Sequence, residues 1–246
     1  MILTLHGTGA GEPSGDRLAS ALTARFSDGS VVLFDAGEGC SRAMLRDGVD
    51  LMDITTVAIS HMHADHWAGL PNLIMAWAVA KRESPVHIYL PPKTGEFFEL
   101  MLTIAYNFSE RRTFAITHGT LSSFDLPDGW RAEIFATTHL DSVKEYADMY
   151  DVADTAYGYR LLNGSRKIIF SQDIGSEDDL TIEMIGAELV ICEAAHAEPA
   201  KVLAMARERG AGRVIFTHVP PRDVSFPDTF EGVEWSIAAD GHRIEL

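Results

Sequence analysis

Only two cysteines occur in 246 residues, Cys40 and Cys192. They are far apart and fall in no metal-ligand spacing, so a reduced, cytoplasmic protein is the simple reading. Basic residues are also scarce, with 20 Lys and Arg against 36 Asp and Glu and a formal charge of −16. A broad nucleic-acid-binding face needs clustered cations, and this balance argues against one, unless bound divalent ions reverse the sign locally. No apolar run reaches the ~18 residues needed to span a bilayer, so no membrane partner is expected. The start, MILTLHGTG, has no basic n-region and runs into a glycine loop, so no signal peptide is expected. Low-complexity tracts and short repeats are missing too.

What is present is an ordinary globular mixture, 46% apolar and 23% charged. The length and the lack of a linker suggest a single domain over residues 1–246. Periodicity predicts strands at Ile2–His6, Val57–Ser60, Val86–Leu90, Ala132–Thr137, Leu189–Cys192 and Val214–Thr217. Hairpins are expected at Asp28-Gly29, at Asn163-Gly164 and, in the tail, at Asp240-Gly241. Helices are expected within DAGEGCSRAMLRDG, ending near Gly48, over LPNLIMAWAVAKR, over Gly95–Asn107 and over Pro199–Arg209. This mixture fits an α/β sandwich of mixed sheets better than a doubly wound parallel sheet.

The chemistry gathers where strands end. SHMHADH, residues 60–66, places His61, His63, Asp65 and His66 just after TVAI. His139 follows AEIFATT, Asp173 follows KIIFSQ, Glu193 follows LVIC and His218 follows RVIFT. Loops at strand ends are where a rigid scaffold presents working groups. Imidazole and carboxylate together suit Zn²⁺ and its neighbours, and there are enough donors here for two ions. Two ions about 3.5–4 Å apart share a bridging hydroxide and clamp attacking and leaving oxygens.

His61-x-His63-x-Asp65-His66, followed by Gly69-Leu70, resembles the HxHxDH signature of the metallo-β-lactamase fold. GTGAGEPSGDR, LFDAGEG, AYGYRL, FSQD, IFTH and ADGHRIEL are similar in order and spacing to ribonuclease Z-type members. The resemblance implies a four-layer αββα sandwich with two mixed sheets and its site at one edge. It implies one metal on His61, His63 and His139, a second on Asp65, His66 and His218, and Asp173 bridging them. It nominates His196, 22 residues before His218, as general acid, with Glu193 orienting it. Asp65 is also expected to hydrogen-bond the bridging hydroxide. The implied cofactor is two divalent ions, zinc with manganese or iron as alternatives, and a homodimer is suggested by resemblance alone.

Departures from that pattern bear on substrate. Relatives commonly carry a projecting arm that grips transfer RNA, inserted after the YGY region, whereas Tyr159 leads to Lys167 through a tight hairpin. The lysine of the Pro-x-Lys-x-Arg loop is missing from Pro13-Ser14-Gly15-Asp16-Arg17, and HEAT is replaced by CEAA at Cys192–Ala195. Between His139 and Ala156 lies an acidic stretch with Asp141, Glu145, Asp148, Asp151 and Asp154, read as a solvated loop or a lid over the site. The expected function is therefore a binuclear-metal hydrolase acting on a phosphodiester of small or modest size, with transfer RNA not favoured. Transfer-RNA 3′ processing, hydrolysis of another ester, thioester, lactone or sulfate, and a non-catalytic binding scaffold remain as alternatives. Trp67, Trp77 and Met75 are expected in the core, and His6 is not expected among the ligands.

Overall fold

The computed structural model describes all 246 residues. Fourteen strands form two seven-stranded sheets, each with antiparallel pairs at one end and parallel pairs at the other. In the first sheet β1 (Ile2–Gly7), β2 (Ala21–Arg25) and β3 (Val31–Phe34) form a meander. The parallel strands β4 (Ile54–Ala58), β5 (Val86–Leu90) and β6 (Ile116–Thr120) extend it. The second sheet repeats the scheme. β7 (Phe124–Asp125), β8 (Arg131–Thr137), β9 (Ala156–Asn163) and β10 (Arg166–Phe170) are antiparallel, and β11 (Leu189–Glu193), β12 (Arg213–Thr217) and β13 (Glu234–Ile237) continue in parallel.

Three cores separate the layers. Leu3, Leu5, Phe34, Tyr159, Ile168 and Ile191 pack between the two sheets. The outer face of the first sheet is covered by α1 (Cys40–Arg46), α3 (Leu70–Val79) and α4 (Gly95–Ile104), through Met44, Leu73, Trp77 and Phe98. The second sheet is covered by α6 (Pro199–Arg209), through Val202, Leu203 and Ala206. A proline at N1 starts α6 and Gly210, at φ 71°, stops it, as the sequence predicts. The layers are therefore αββα, as the resemblance implies.

Four expectations need correction. The tail is no hairpin: β13 pairs with β12 in the second sheet, and β14 (His242–Glu245) pairs with β1 in the first. Asp240-Gly241 is a crossing between sheets, held because Asp240 accepts hydrogen bonds from Thr8 N, Thr8 Oγ1 and Leu18 N at 2.7–3.0 Å. The strand before the histidines ends at Ala58, because Ser60 turns aside to bond Asp35. The acidic stretch is not a loop throughout, since it contains α5 (Lys144–Tyr150). Met75 lies on the solvent side of α3, 49% exposed, while Trp77 is fully buried and Trp67 partly so.

Candidate metal centre

The loop after β4 and the short helix α2 (Ala64–Trp67) bring four of the donors to the sheet edge. Two glycines make this possible. A Cβ on Gly37 would lie 2.3 Å from Asp65 O, and one on Gly69 would lie 2.2 Å from Gly37 O. Without side chains there, Ala36 N donates to His66 O at 2.7 Å and Gly69 N to Ala36 O at 2.8 Å. The turn carrying Asp65 and His66 is thus stitched to the loop after β3.

The seven predicted donors converge in two groups. In the first, His61 Nε2 and His139 Nε2 each lie 3.0 Å from His63 Nδ1, and Asp173 Oδ2 lies 3.5 Å from His139 Nε2 and 3.8 Å from His61 Nε2. In the second, His66 Nε2 is 3.3 Å from Asp65 Oδ2, and His218 Nε2 is 3.7 Å from the same oxygen. The other oxygen of Asp173 is 3.3 Å from both His66 Nε2 and His218 Nε2. One carboxylate therefore faces both groups, one oxygen to each.

These separations fit metal ligation. Donors ~2.0–2.1 Å from a tetrahedral ion are about 3.3 Å apart. Asp65 Oδ2, His66 Nε2 and Asp173 Oδ1 are buried and have no hydrogen-bond partner. Each such orphan costs about 1–3 kcal/mol unless something satisfies it. A cation among them satisfies all three at once. Burial holds the imidazoles of His63 and His139 below the usual histidine range and that of His61 well below it. They are the neutral donors a metal needs.

Asp35, a residue to which sequence reasoning assigned no role, anchors both groups. Fully buried, it accepts from His66 Nδ1 at 2.5 Å, from Ser60 N at 2.7 Å and from Ser60 Oγ at 2.8 Å. Because the Ser60 hydroxyl gives its proton to Asp35, it accepts from His61 Nδ1 at 3.0 Å. Both rings are thereby held with Nε2 free to ligate. Asp35, Gln172 and His218 adopt positive φ, 51–58°, at the ends of three strands. Non-glycine residues reach this region at some cost, and such strain gathers at functional sites. The signal in the sequence was the aspartate closing a buried strand, VVLFD.

Glu193 and His196 stand at the rim. Buried Glu193 accepts from His196 Nδ1 at 3.0 Å and from the backbone N–H groups of Ala195 and His196 at 2.5 and 2.9 Å. The hydrogen bond to Glu193 raises the His196 imidazole above the usual histidine range. Its ring lies 4.7 Å from that of His139. A cavity of about 330 Å³ opens over the donors, lined also by Ala10 and Gly11 of the glycine loop and by one cationic side chain, Arg222. The glycine loop reaches it because Gly9 bridges to Val219, next to His218. His6 is elsewhere, buried between Asp47 and Thr23 at 2.7 and 2.8 Å.

The paired sheets and the histidine–aspartate edge define a protein of the metallo-β-lactamase fold that is ribonuclease Z-like in sequence. Within that class the chain belongs to the family described as anti-Pycsar protein Apyc1, whose model matches residues 1–207. It is similar to ribonuclease Z of Methanosarcina acetivorans, 38% identical over 104 residues, which are 42% of this chain and 34% of that one. The matched stretches span about a third to just over half of the length of such curated relatives. Among solved structures, human tRNase Z, short form, aligns over 100% of this chain and 99% of its own at 23% identity and a TM-score of 0.78. A diphosphatase from the PhnP family aligns over 100% and 97% at 20% identity and a TM-score of 0.69. At these identities the two structures speak for the fold.

Proposed function

We propose that the protein is a binuclear metal-dependent phosphodiesterase for esters of small or modest size. The observation that carries this reading is the pair of donor groups joined by the two oxygens of Asp173, with the His196–Glu193 pair beside them. His61, His63 and His139 would hold one ion, and Asp65, His66 and His218 the other. Zinc suits the donor set, and manganese or iron is compatible with it. When bound, two such ions supply Lewis-acid charge stabilisation and water of lowered pKa.

The chain's own residues do the rest. Arg222 supplies positive charge on a cavity wall otherwise rich in carboxylates, where an anionic ester must settle. Asp65, with one oxygen among the donors, orients attacking water as well as ligating. Glu193 accepts a hydrogen bond from Nδ1 of His196, so the proton that His196 gives up sits on Nε2. His196 delivers it to the leaving oxygen, and the carboxylate of Glu193 keeps the ring charged until then.

Transfer-RNA 3′ processing stands as a second reading, favoured by relatives named ribonuclease Z. Against it stand the short β9–β10 hairpin, with no room for an arm, and the acidic stretch around α5. A panel assay with metal-loaded protein decides between them. Bis(4-nitrophenyl) phosphate and dialkyl phosphates should turn over, and sulfate esters, lactones and thioesters should lag well behind. Cleavage of a transfer-RNA precursor at physiological salt, competitive with the small diesters, would install the second reading instead.

A further inference from the structure

We propose that the recess between α5 and the histidine loop is a substrate subsite for an uncharged aromatic ring carried by the ester. This rests on the phosphodiesterase reading for its anchor, the phosphate at the metal centre. The recess has a volume of about 230 Å³, and its lining is apolar apart from His63. Met62 comes from the histidine loop, Leu140 and Val143 from the segment after His139, and Tyr146, Ala147 and Tyr150 from α5.

The helix is amphipathic in a way that no core explains. Val143, Tyr146, Ala147 and Tyr150 recur at the i, i+3, i+4, i+7 spacing of one helical face. Leu140 and Ala147 are buried, yet they belong to none of the three cores of the sandwich. Tyr146 and Tyr150 remain 61% and 72% exposed, so α5 holds two aromatic rings beside a gap instead of closing it.

The gap is continuous with the metal centre. A second recess shares His63, Leu140 and Val143 with it and is lined in turn by His139 and His196. A group in the apolar recess is therefore one linker away from an ester held at the donors. Size and chemistry then narrow the occupant. An apolar cavity of about 150 Å³ holds benzene, so this one takes a single six-membered ring with its linker. Tyrosine faces and the Met62 thioether favour an aromatic ring over an alkyl chain. Asp141, Glu145, Asp148, Asp151 and Asp154 fall in the same chain segment as the residues that line the recess, against Lys144 within it and Lys93, which Asp151 engages at 2.7 Å. That field repels a ring bearing its own anion.

Calorimetry on the metal-loaded chain tests this with benzyl phosphate, methyl phosphate and 4-carboxybenzyl phosphate. All three present the same phosphate, and they differ in what they offer the recess. Benzyl phosphate should bind at least about tenfold tighter than methyl phosphate, and 4-carboxybenzyl phosphate should lose most of that gain. Tyr146→Ala and, separately, Val143→Asn should each remove most of the benzyl advantage and leave methyl phosphate binding unchanged, which also reports an intact site. Equal binding of benzyl and methyl phosphate by the unaltered protein overturns the proposal, as does a benzyl advantage that survives both substitutions. Turnover of benzyl 4-nitrophenyl phosphate is followed in parallel. A benzyl preference in binding without turnover keeps the subsite and removes the phosphodiesterase reading. Turnover without preference does the reverse, and binding of none of the three contradicts both.

Discussion

His66 sits between two carboxylates, with Asp35 on Nδ1 and Asp173 near Nε2. Burial alone would lower its pKa, but Asp173 and Asp35 outweigh burial and hold it well above the usual histidine range when no metal competes. Asp35 would thus act on a bound ion through the ring. Asp35→Asn keeps the shape and removes the charge, and it should weaken the second metal about ten- to a hundredfold in a chelator competition titration. Unchanged affinity for both ions would reduce Asp35 to a packing residue. His196 makes a different prediction because its task depends on the leaving group. His196→Ala should slow alkyl esters by about 10²–10⁴-fold and nitrophenyl esters much less, with metal content unchanged. Equal losses would assign it to geometry, and loss of an ion would make it a ligand. The candidate donors were legible in the sequence because they follow apolar strands, and the loop beyond a strand end has a predictable address. Asp35 was less legible, since its role lies in three hydrogen bonds to residues 25 to 31 positions away.

At the scale of elements, local signals foretold most boundaries, and failures came where partners are distant. Pro199 and Gly210 mark α6 on their own. The tail could not be read that way. Asp240-Gly241 has the chemistry of a hairpin turn, but the partners of the flanking strands are β12 and β1, fixed by the two-sheet topology. Asp240 ties that crossing to the glycine loop through Thr8 and Leu18, and Arg17 adds bonds to Thr8 Oγ1 and Ala238 O, both at 2.6 Å. Asp240→Ala leaves those donors unmatched and should cost about 1–3 kcal/mol in denaturant unfolding. A cost near zero would show that water replaces the carboxylate freely. His6 joins β1 to the end of α1 through Asp47, and burial lowers its pKa. The unfolded chain binds a proton at His6 below about pH 6.5, whereas the folded chain resists it. Stability from this group is therefore complete above that value and falls as the pH drops towards the lower folded pKa. In metal-stripped protein, the melting temperature should fall less between pH 7.5 and 5.5 for His6→Gln than for the unaltered chain. Parallel slopes would exclude His6 as a source of acid sensitivity.

For the whole molecule, the architecture explains why one edge is chemical. Strands from both sheets end there in non-repetitive loops, and the two sheets must be packed before the donors meet. His61, His63, Asp65 and His66 come from the first sheet, and His139, Asp173 and His218 from the second. Metal binding should thus be tied to global folding, with ions stabilising the sandwich as a unit. A net charge of −16 adds self-repulsion, part of which bound divalent cations would offset. No helix is long and apolar enough to cross a membrane. The central claim is a two-ion hydrolytic centre, and one titration addresses it most directly. Metal-stripped protein is titrated with zinc or manganese while hydrolysis of bis(4-nitrophenyl) phosphate is followed. The account predicts that activity rises to a plateau at two equivalents per chain, with the second ion required for turnover. A plateau at one equivalent, or no hydrolysis with both sites filled, would contradict it.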